Sequence, residues 1–156
     1  MHMIEDLPEK AKDEIKRADH LVYVTLKYTR TADVIKITIK RLITAFNYVI
    51  LEALEFSKEN KTIKEIPASA QDRVKLLKKL YKENLKQYIK LYELLKGIDL
   101  VTDFKSKEEY RKNVALIVKI ENKEIIIDIP TLINYFNKTK EFVNIVNKMV
   151  EGIEND

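Results

Sequence analysis

The sequence predicts a mostly α protein, an antiparallel up-and-down bundle of four main helices with a small β-hairpin before the last helix. Two glycines and three prolines interrupt 156 residues, so long helices have room to form. Apolar residues recur at three- and four-residue spacing along most of the chain, and alternation replaces this spacing only between Val114 and Ile129. The length and the 46% hydrophobic content indicate a single domain, residues 1–156, with its own core.

The first helix is expected to begin near Pro8, because proline suits the first turn of a helix. Its pattern breaks between Lys27 and Thr31, where the side chain of Thr31 or Asp33 can cap the next helix. One face of this helix is predicted to be buried. The residues of that face are Ala11, Ile15, Ala18, Val22 and Leu26.

The second helix is expected from Val34 to Phe56 and is apolar around most of its circumference. Such a helix must be surrounded by other elements. A polar connection follows from Ser57 to Gln71, in which Ser69 can cap the next helix. The third helix is then predicted to run unbroken to Lys96 and to end at Gly97. Its predicted buried side consists of Val74, Leu77, Tyr81, Leu85, Tyr88, Tyr92 and Leu95.

The segment after Asp99 changes period. Ser106 to Glu109 has the form of a capping box and predicts a short helix that ends near Asn113. Two β-branched runs, 114–120 and 124–129, are separated by Asn122-Lys123 and predict a β-hairpin. The alternative is a helix that continues through residues 114–120.

The hairpin register follows from the alternation. With Glu121 opposite Glu124, one face is entirely apolar, while Lys119 and Asp128 lie on the other face. The apolar face consists of Leu116, Val118, Ile120, Ile125, Ile127 and Ile129. The last helix is expected to begin at Pro130 and Thr131. Its predicted buried stripe is Leu132, Phe136, Val143, Val146, Val150 and Ile153.

Composition excludes several classes of protein. The absence of cysteine excludes disulfides and cysteine-based zinc sites. No apolar run is long enough to cross a bilayer, and residues 1–12 lack the hydrophobic segment of a signal peptide, so we expect a cytoplasmic protein without a membrane partner. The abundance of Lys, Glu and Ile with only two glutamines is typical of a thermophile, and an AT-rich genome produces the same bias.

Residues for catalysis or metal binding are scarce. Residues 1–3, Met-His-Met, resemble a cloning remnant, which would leave His20 as the only native histidine. Glu52 and Glu55 resemble half of a carboxylate metal site, but the Glu-x-x-His repeats of di-iron bundles are absent. We therefore predict no catalytic residues, no metal site and no cofactor.

The third predicted helix carries the strongest charge pattern. Between Asp72 and Lys96 basic residues exceed acidic residues by five, more than the net charge of +4 of the whole chain. On a straight helix they would form a stripe about four turns long that can follow a phosphate backbone. The alternative is a solvated face that keeps the protein in solution. The residues of this predicted nucleic-acid surface are Lys75, Lys78, Lys79, Lys82, Lys86 and Lys90.

A second set of polar residues lies near the end of the first helix. These side chains can line a polar groove for a small ligand or a protein partner, or they can pack at the edge of the bundle. The residues are Arg17, His20, Tyr23, Tyr28 and Arg30.

The segment from Ala18 to Thr25, followed by the apolar helix through Ile43 to Phe46, resembles archaeal helical-bundle proteins related to the HEPN superfamily. The order of the elements is also similar over most of the chain. The resemblance implies a helical bundle and a dimer. It does not carry over the HEPN ribonuclease motif, because no arginine precedes a histidine by the spacing that the motif requires, and Arg17 lies only three residues before His20.

The sequence therefore favours a non-catalytic bundle that acts through a homodimer or a protein-partner interface. Four helices and one hairpin must cover the apolar residues of the second and last helices, which favours a second copy as a further cover. The alternative is an RNA-binding or ribonuclease-related protein of HEPN type that uses the basic face of the third helix.

Overall fold

The first predicted helix consists of three helical segments joined end to end, which together we call the first rod. The computed structural model describes the backbone of residues 2–155 and the side chains of residues 6–152, so the suggested remnant at residues 1–3 and the predicted burial of Ile153 lie outside the described side chains. Helix α1 spans His2–His20, a π-helical turn spans Leu21–Thr25, and α2 spans Leu26–Tyr28. The rod begins before Pro8, which lies inside α1. Its predicted apolar face is buried throughout.

Helix α3 spans Ala32–Glu59 and lies at the centre of the molecule. The hydroxyl oxygen of Thr31 accepts a hydrogen bond from the backbone N–H of Val34 at 3.2 Å, which confirms the predicted cap. The carboxylate of Glu109 also accepts from the N–H of Ala32, at 3.2 and 3.3 Å. A distant loop thus stabilises the first turn of α3, as a negative charge does at a helix N-terminus.

The third predicted helix is not continuous, and that prediction was wrong. Helix α4 spans Ala70–Tyr81, a 3₁₀ turn spans Lys82–Leu85, and α5 spans Lys86–Leu100. Gly97 lies inside α5 rather than at its end. The break is at Lys82, whose backbone has φ 40° and ψ −114°, a conformation that no residue inside an α-helix adopts.

The chain reverses direction at this break. The Nζ atom of Lys78 lies 2.7 Å from Oε2 of Glu93, whereas on one straight helix residues so far apart in sequence would be separated by about 22 Å. Helices α4 and α5 therefore form a helical hairpin. The predicted cap of α4 is confirmed, because the hydroxyl of Ser69 accepts from the N–H of Asp72 at 3.1 Å.

The last helix, α6, spans Ile129–Asn155. Its N-terminus is capped by Asp128, whose Oδ1 accepts from the N–H of Thr131 at 2.9 Å. Within the predicted stripe, Leu132, Phe136, Val143 and Val146 are buried and Val150 is half-buried.

The four main helices α1, α3, α5 and α6 run up, down, up and down. Helices α1 and α5 are antiparallel to α3, and α6 is parallel to it. Helix α4 is an additional helix that lies between α3 and α5 in the sequence. The pairs that fix these directions are Glu14–Arg41 and Lys10–Tyr48 for α1, Tyr92–Asn47 and Asp99–Lys40 for α5, and Phe142–Phe46 and Asn147–Glu52 for α6. The predicted mostly α, up-and-down architecture is confirmed.

A three-stranded antiparallel sheet precedes α6. Its strands are β1 (Lys105–Lys107), β2 (Ala115–Ile120) and β3 (Lys123–Asp128), in the order β1-β2-β3. The short helix predicted from Ser106 to Asn113 is wrong. Residues 105–107 pair with β2 instead, and the backbones of Glu108 and Tyr110 are left-handed, with φ of 55° and 67°, which no α-helix permits.

The hairpin prediction is confirmed, and the helical alternative for residues 114–120 is excluded. The register differs from the prediction by two residues. Val118 pairs with Ile125, and a two-residue turn is formed by Glu121 and Asn122, with φ of 51° and 66°. Two consecutive positive φ values are typical of a type I′ turn, whose twist matches the strands.

The register difference leaves the faces of the hairpin unchanged, because a shift of two residues returns each side chain to the same side. Leu116, Val118 and Ile127 are buried, as predicted. The remaining apolar positions, Ile120, Ile125 and Ile129, are half-buried, and Lys119, Glu121 and Glu124 are exposed. The sheet thus covers one flank of the bundle.

Replacing Lys82 with glycine tests the reversal between α4 and α5. Glycine accepts positive φ without strain, so Lys82→Gly is expected to stabilise the protein by about 1 kcal/mol. In a continuous helix the same change would destabilise by about 1 kcal/mol. Lys79→Gly, inside α4, is the control and should lower the melting temperature. A lower melting temperature for Lys82→Gly would contradict the reversal.

Candidate functional site

The six lysines of the predicted nucleic-acid surface are all exposed, but they do not form one straight stripe. Lys75, Lys78 and Lys79 lie on α4, Lys82 lies at the reversal, and Lys86 and Lys90 lie on α5. The chain reversal folds the predicted stripe onto itself. The basic surface is therefore about half as long as a continuous helix would make it.

Part of this surface is a groove beside the reversal. Lys78, Lys82, Lys86 and Lys90 line it together with Glu83 and Glu93, and its volume is about 320 Å³. Two of the lysines are ion-paired: the Nζ atom of Lys78 lies 2.7 Å from Glu93, and that of Lys86 lies 3.7 Å from Glu83. We call these six residues the basic groove. Its net charge is positive, but two acidic side chains reduce it.

Arg17 of the predicted polar groove belongs to a structural ion cluster. The carboxylate of Glu14 is buried and accepts from Arg17 at 2.8 Å and from Arg41 at 3.3 Å. A buried carboxylate needs such partners, because an unpaired charge in the core is costly. Arg17 thus links neighbouring turns of α1, and Arg41 ties α1 to α3.

The other members of the predicted polar groove line none of the four cavities described for residues 6–152. His20 is exposed, and its Nδ1 lies 3.5 Å from the hydroxyl of Thr25. The ring of Tyr23 meets that of Phe136 edge-on, at 6.1 Å between centroids. Tyr28 is 82% exposed.

Five large side chains near one end of the bundle remain exposed to water. Tyr23, Val24, Tyr28 and Ile37 lie on the π-helical turn, α2 and the start of α3. The fifth, Tyr110, is 75% exposed. We call these five residues the aromatic end. An exposed apolar surface rich in tyrosine is typical of protein interfaces.

The loop that carries Tyr110 is fixed to this end by the backbone. The N–H of Tyr110 donates to the carbonyl oxygen of Arg30 at 2.6 Å, and the neighbouring Glu109 caps α3. This placement was not predicted, because the residues around Tyr110 were expected in a short helix. The segment has no apolar face, and this absence could have indicated that it does not form a packed helix.

A buried polar pair joins α3 to α6. The side-chain amide of Asn147 lies against the carboxylate of Glu52, and with its nitrogen turned towards Glu52 it donates to both carboxylate oxygens, at 3.0 and 2.9 Å. The pKa of Glu52 is raised from 4.5 to about 7, mainly by burial and also by the nearby Glu151, while Lys12 acts to lower it. Sequence reasoning considered Glu52 only beside Glu55 as half of a metal site and missed this pair.

No group of three His, Asp or Glu side chains that can hold a metal ion occurs in the described part of the chain. Among the helices described, none combines the length and the apolar character needed to cross a membrane. Comparison with known proteins adds no family: no family model, no curated protein and no solved structure matches this chain significantly.

The buried Glu52 leads to a prediction about pH. Because its folded-state pKa is raised, the folded protein holds the proton more tightly than the unfolded chain, and stability is lost as the pH rises from about 4.5 to about 7. Glu52→Gln cannot ionise, so this loss should disappear. We therefore compare the free energy of unfolding of Glu52→Gln with that of wild type. The difference between them should change in favour of the variant by roughly 3 kcal/mol at most between about pH 5 and about pH 8.

Glu55→Gln is the matched control, because Glu55 lies one turn away on α3 and is only half-buried. Urea unfolding at the two pH values measures the difference for each variant. An equal pH dependence in wild type and Glu52→Gln would contradict the raised pKa.

Proposed function

We propose that this chain is a non-catalytic helical-bundle protein of the cytosol that acts by pairing with a second copy through the aromatic end. The observation that carries the proposal is the exposure of Tyr28 and Tyr110, 82% and 75%, at the same end of the bundle. The backbone hydrogen bond between Tyr110 and Arg30 brings their segments together. Large, rigid aromatic side chains contribute strongly to interfaces when they become buried.

Support for a dimer comes from the surface of the bundle rather than from its interior. The sequence suggested that α3 and α6 carry more apolar residues than one chain can cover. The apolar residues of α3 are instead enclosed by α1, α4, α5, α6 and the sheet, and most of them are fully buried. Pairing is therefore supported by the aromatic end. A twofold axis there would place the same tyrosines of two copies against each other.

Substitution of the aromatic end tests this proposal. Light scattering should report a dimer of the wild-type chain at about 10 µM, and Tyr28→Glu with Tyr110→Glu should convert it to a monomer, since two charges would be buried at the interface. Ile126→Glu is the control, because Ile126 is also exposed, at 43%, but lies on the sheet. A monomeric wild type, or a double variant that remains dimeric, would overturn the proposal.

A second candidate function is binding of RNA at the basic groove, in agreement with the resemblance to HEPN proteins. The observation in its favour is the chain reversal, which brings Lys78 of α4 into the same groove as Lys86 and Lys90 of α5. Neutralisation of phosphates by lysine releases counterions, and this drives binding that weakens steeply with salt. The sequence lacks the HEPN arginine and histidine motif, so this candidate concerns binding rather than cleavage.

Filter binding to single-stranded RNA at several salt concentrations tests this candidate. Wild type should bind at low salt, and Lys82→Glu with Lys86→Glu should weaken binding about tenfold or more. Lys119→Glu with Lys123→Glu, on the exposed side of the hairpin and at its turn, should leave binding nearly unchanged. No binding of wild type at low salt would exclude the candidate, and equal effects of the two double variants would show attraction by overall charge alone.

A further inference from the structure

The helical hairpin leaves a gap between α4 and α5. It lies beyond the Lys78–Glu93 ion pair as seen from the reversal, and its volume is about 530 Å³. This volume is within the range of sites for small organic molecules. None of the residues that line the gap belongs to the aromatic end, so the two proposals can be tested with separate variants.

The lining of the gap is mainly apolar. Val74 and Tyr92 are buried at its base, and the aliphatic side chain of Leu100 is 78% exposed beside it. The base is held in place by a hydrogen bond, because the hydroxyl of Tyr92 donates to Oδ1 of Asn47 at 2.6 Å. A ligand with an apolar body would remove the side chain of Leu100 from water.

Gly97 of α5 is one of the residues that line the gap. A side chain at this position would start 3.4 Å from Cδ1 of Ile120, so α5 and β2 approach closely there. Gly97 lies in the interior of α5, where glycine costs roughly 0.5–1 kcal/mol relative to alanine. The backbone of α5 thus forms part of the lining of the gap at Gly97.

Lysines surround the gap. Lys78 is paired with Glu93 at 2.7 Å, but Lys75 and Lys96 make no ion pair within the part of the chain that the structure describes. The Nζ atom of Lys96 lies 6.0 Å from the centre of the Tyr92 ring, so it can approach both the aromatic base and an anion above it. The rim is cationic, and the base is apolar.

We infer that the gap between α4 and α5 binds a small organic anion that has one acidic group and an apolar body. The body would lie against Val74, Tyr92 and Leu100, and the acidic group would lie between Lys75 and Lys96. Charge complementarity selects the anion, because the two lysines have no acidic partner of their own in the described structure. The apolar base excludes small inorganic anions as the best ligands, since these would gain nothing from its burial.

Titration with 2-naphthoate tests the inference, with 2-naphthamide as the uncharged probe of similar shape. Isothermal titration should give a dissociation constant below about 1 mM for 2-naphthoate and at least roughly tenfold weaker binding for 2-naphthamide. The double variant Lys75→Glu with Lys96→Glu should bind 2-naphthoate only as weakly as wild type binds 2-naphthamide. Lys119→Glu with Lys123→Glu carries the same change in net charge and should have little effect.

The position of the ligand is checked by nuclear magnetic resonance. The amide signal of Gly97 should shift on addition of 2-naphthoate, while that of Gly152, in α6, should not. Equal affinities for the acid and the amide, or an unchanged Gly97 signal at saturation, would overturn the inference. Failure of the dimer at the aromatic end would leave these results unaffected.

Discussion

The other elements of this protein are arranged around helix α3, because α3 is apolar on nearly every side. A helix of this kind is unstable in water until each face is covered. The first rod, α5 and α6 cover three directions, and the α4 segment and the sheet close the remaining gaps. The rings of Phe46, Phe142, Tyr88 and Tyr92 form a continuous aromatic contact across α3, α6 and α5, with centroids 5.1 to 5.4 Å apart.

The polar groups that enter this apolar interior are satisfied locally or across helices. The hydroxyls of Thr38 and Ser57 donate to the carbonyl oxygen four residues earlier in α3. Glu14 and Glu52 are accommodated in different ways, since Glu14 has two arginines and Glu52 has the amide of Asn147. Burial raises the pKa of Glu52, and the nearby Glu151 adds to this effect, while no positive charge in the described part of the chain is in contact with the carboxylate to offset it.

The apolar pattern alone was enough to predict what is buried, but not how the chain turns. The predicted apolar side of the third helix is buried or half-buried throughout, yet the segment is folded in two at Lys82. The break from Lys82 to Leu85 contains no glycine or proline, and Asn84 is its only turn-favouring residue. The reversal depends on tertiary packing, since it lets both α4 and α5 pack against α3. The hairpin register was misjudged for a related reason, since Glu121 and Asn122 adopt positive φ without glycine.

The candidate surfaces show the same division between what sequence determines and what packing determines. Each lysine was correctly expected to be exposed, because spacing along a helix specifies its face. The positions of the lysines relative to one another depend on the reversal, which converts one stripe into two surfaces. The basic groove lies on one side of the Lys78–Glu93 ion pair, and the apolar gap between α4 and α5 lies on the other. The aromatic end depends on packing in the same way, since a loop far along the chain places Tyr110 beside Arg30. In this protein the surfaces available for binding are therefore produced by the connections between helices, while the helices themselves are used to enclose α3.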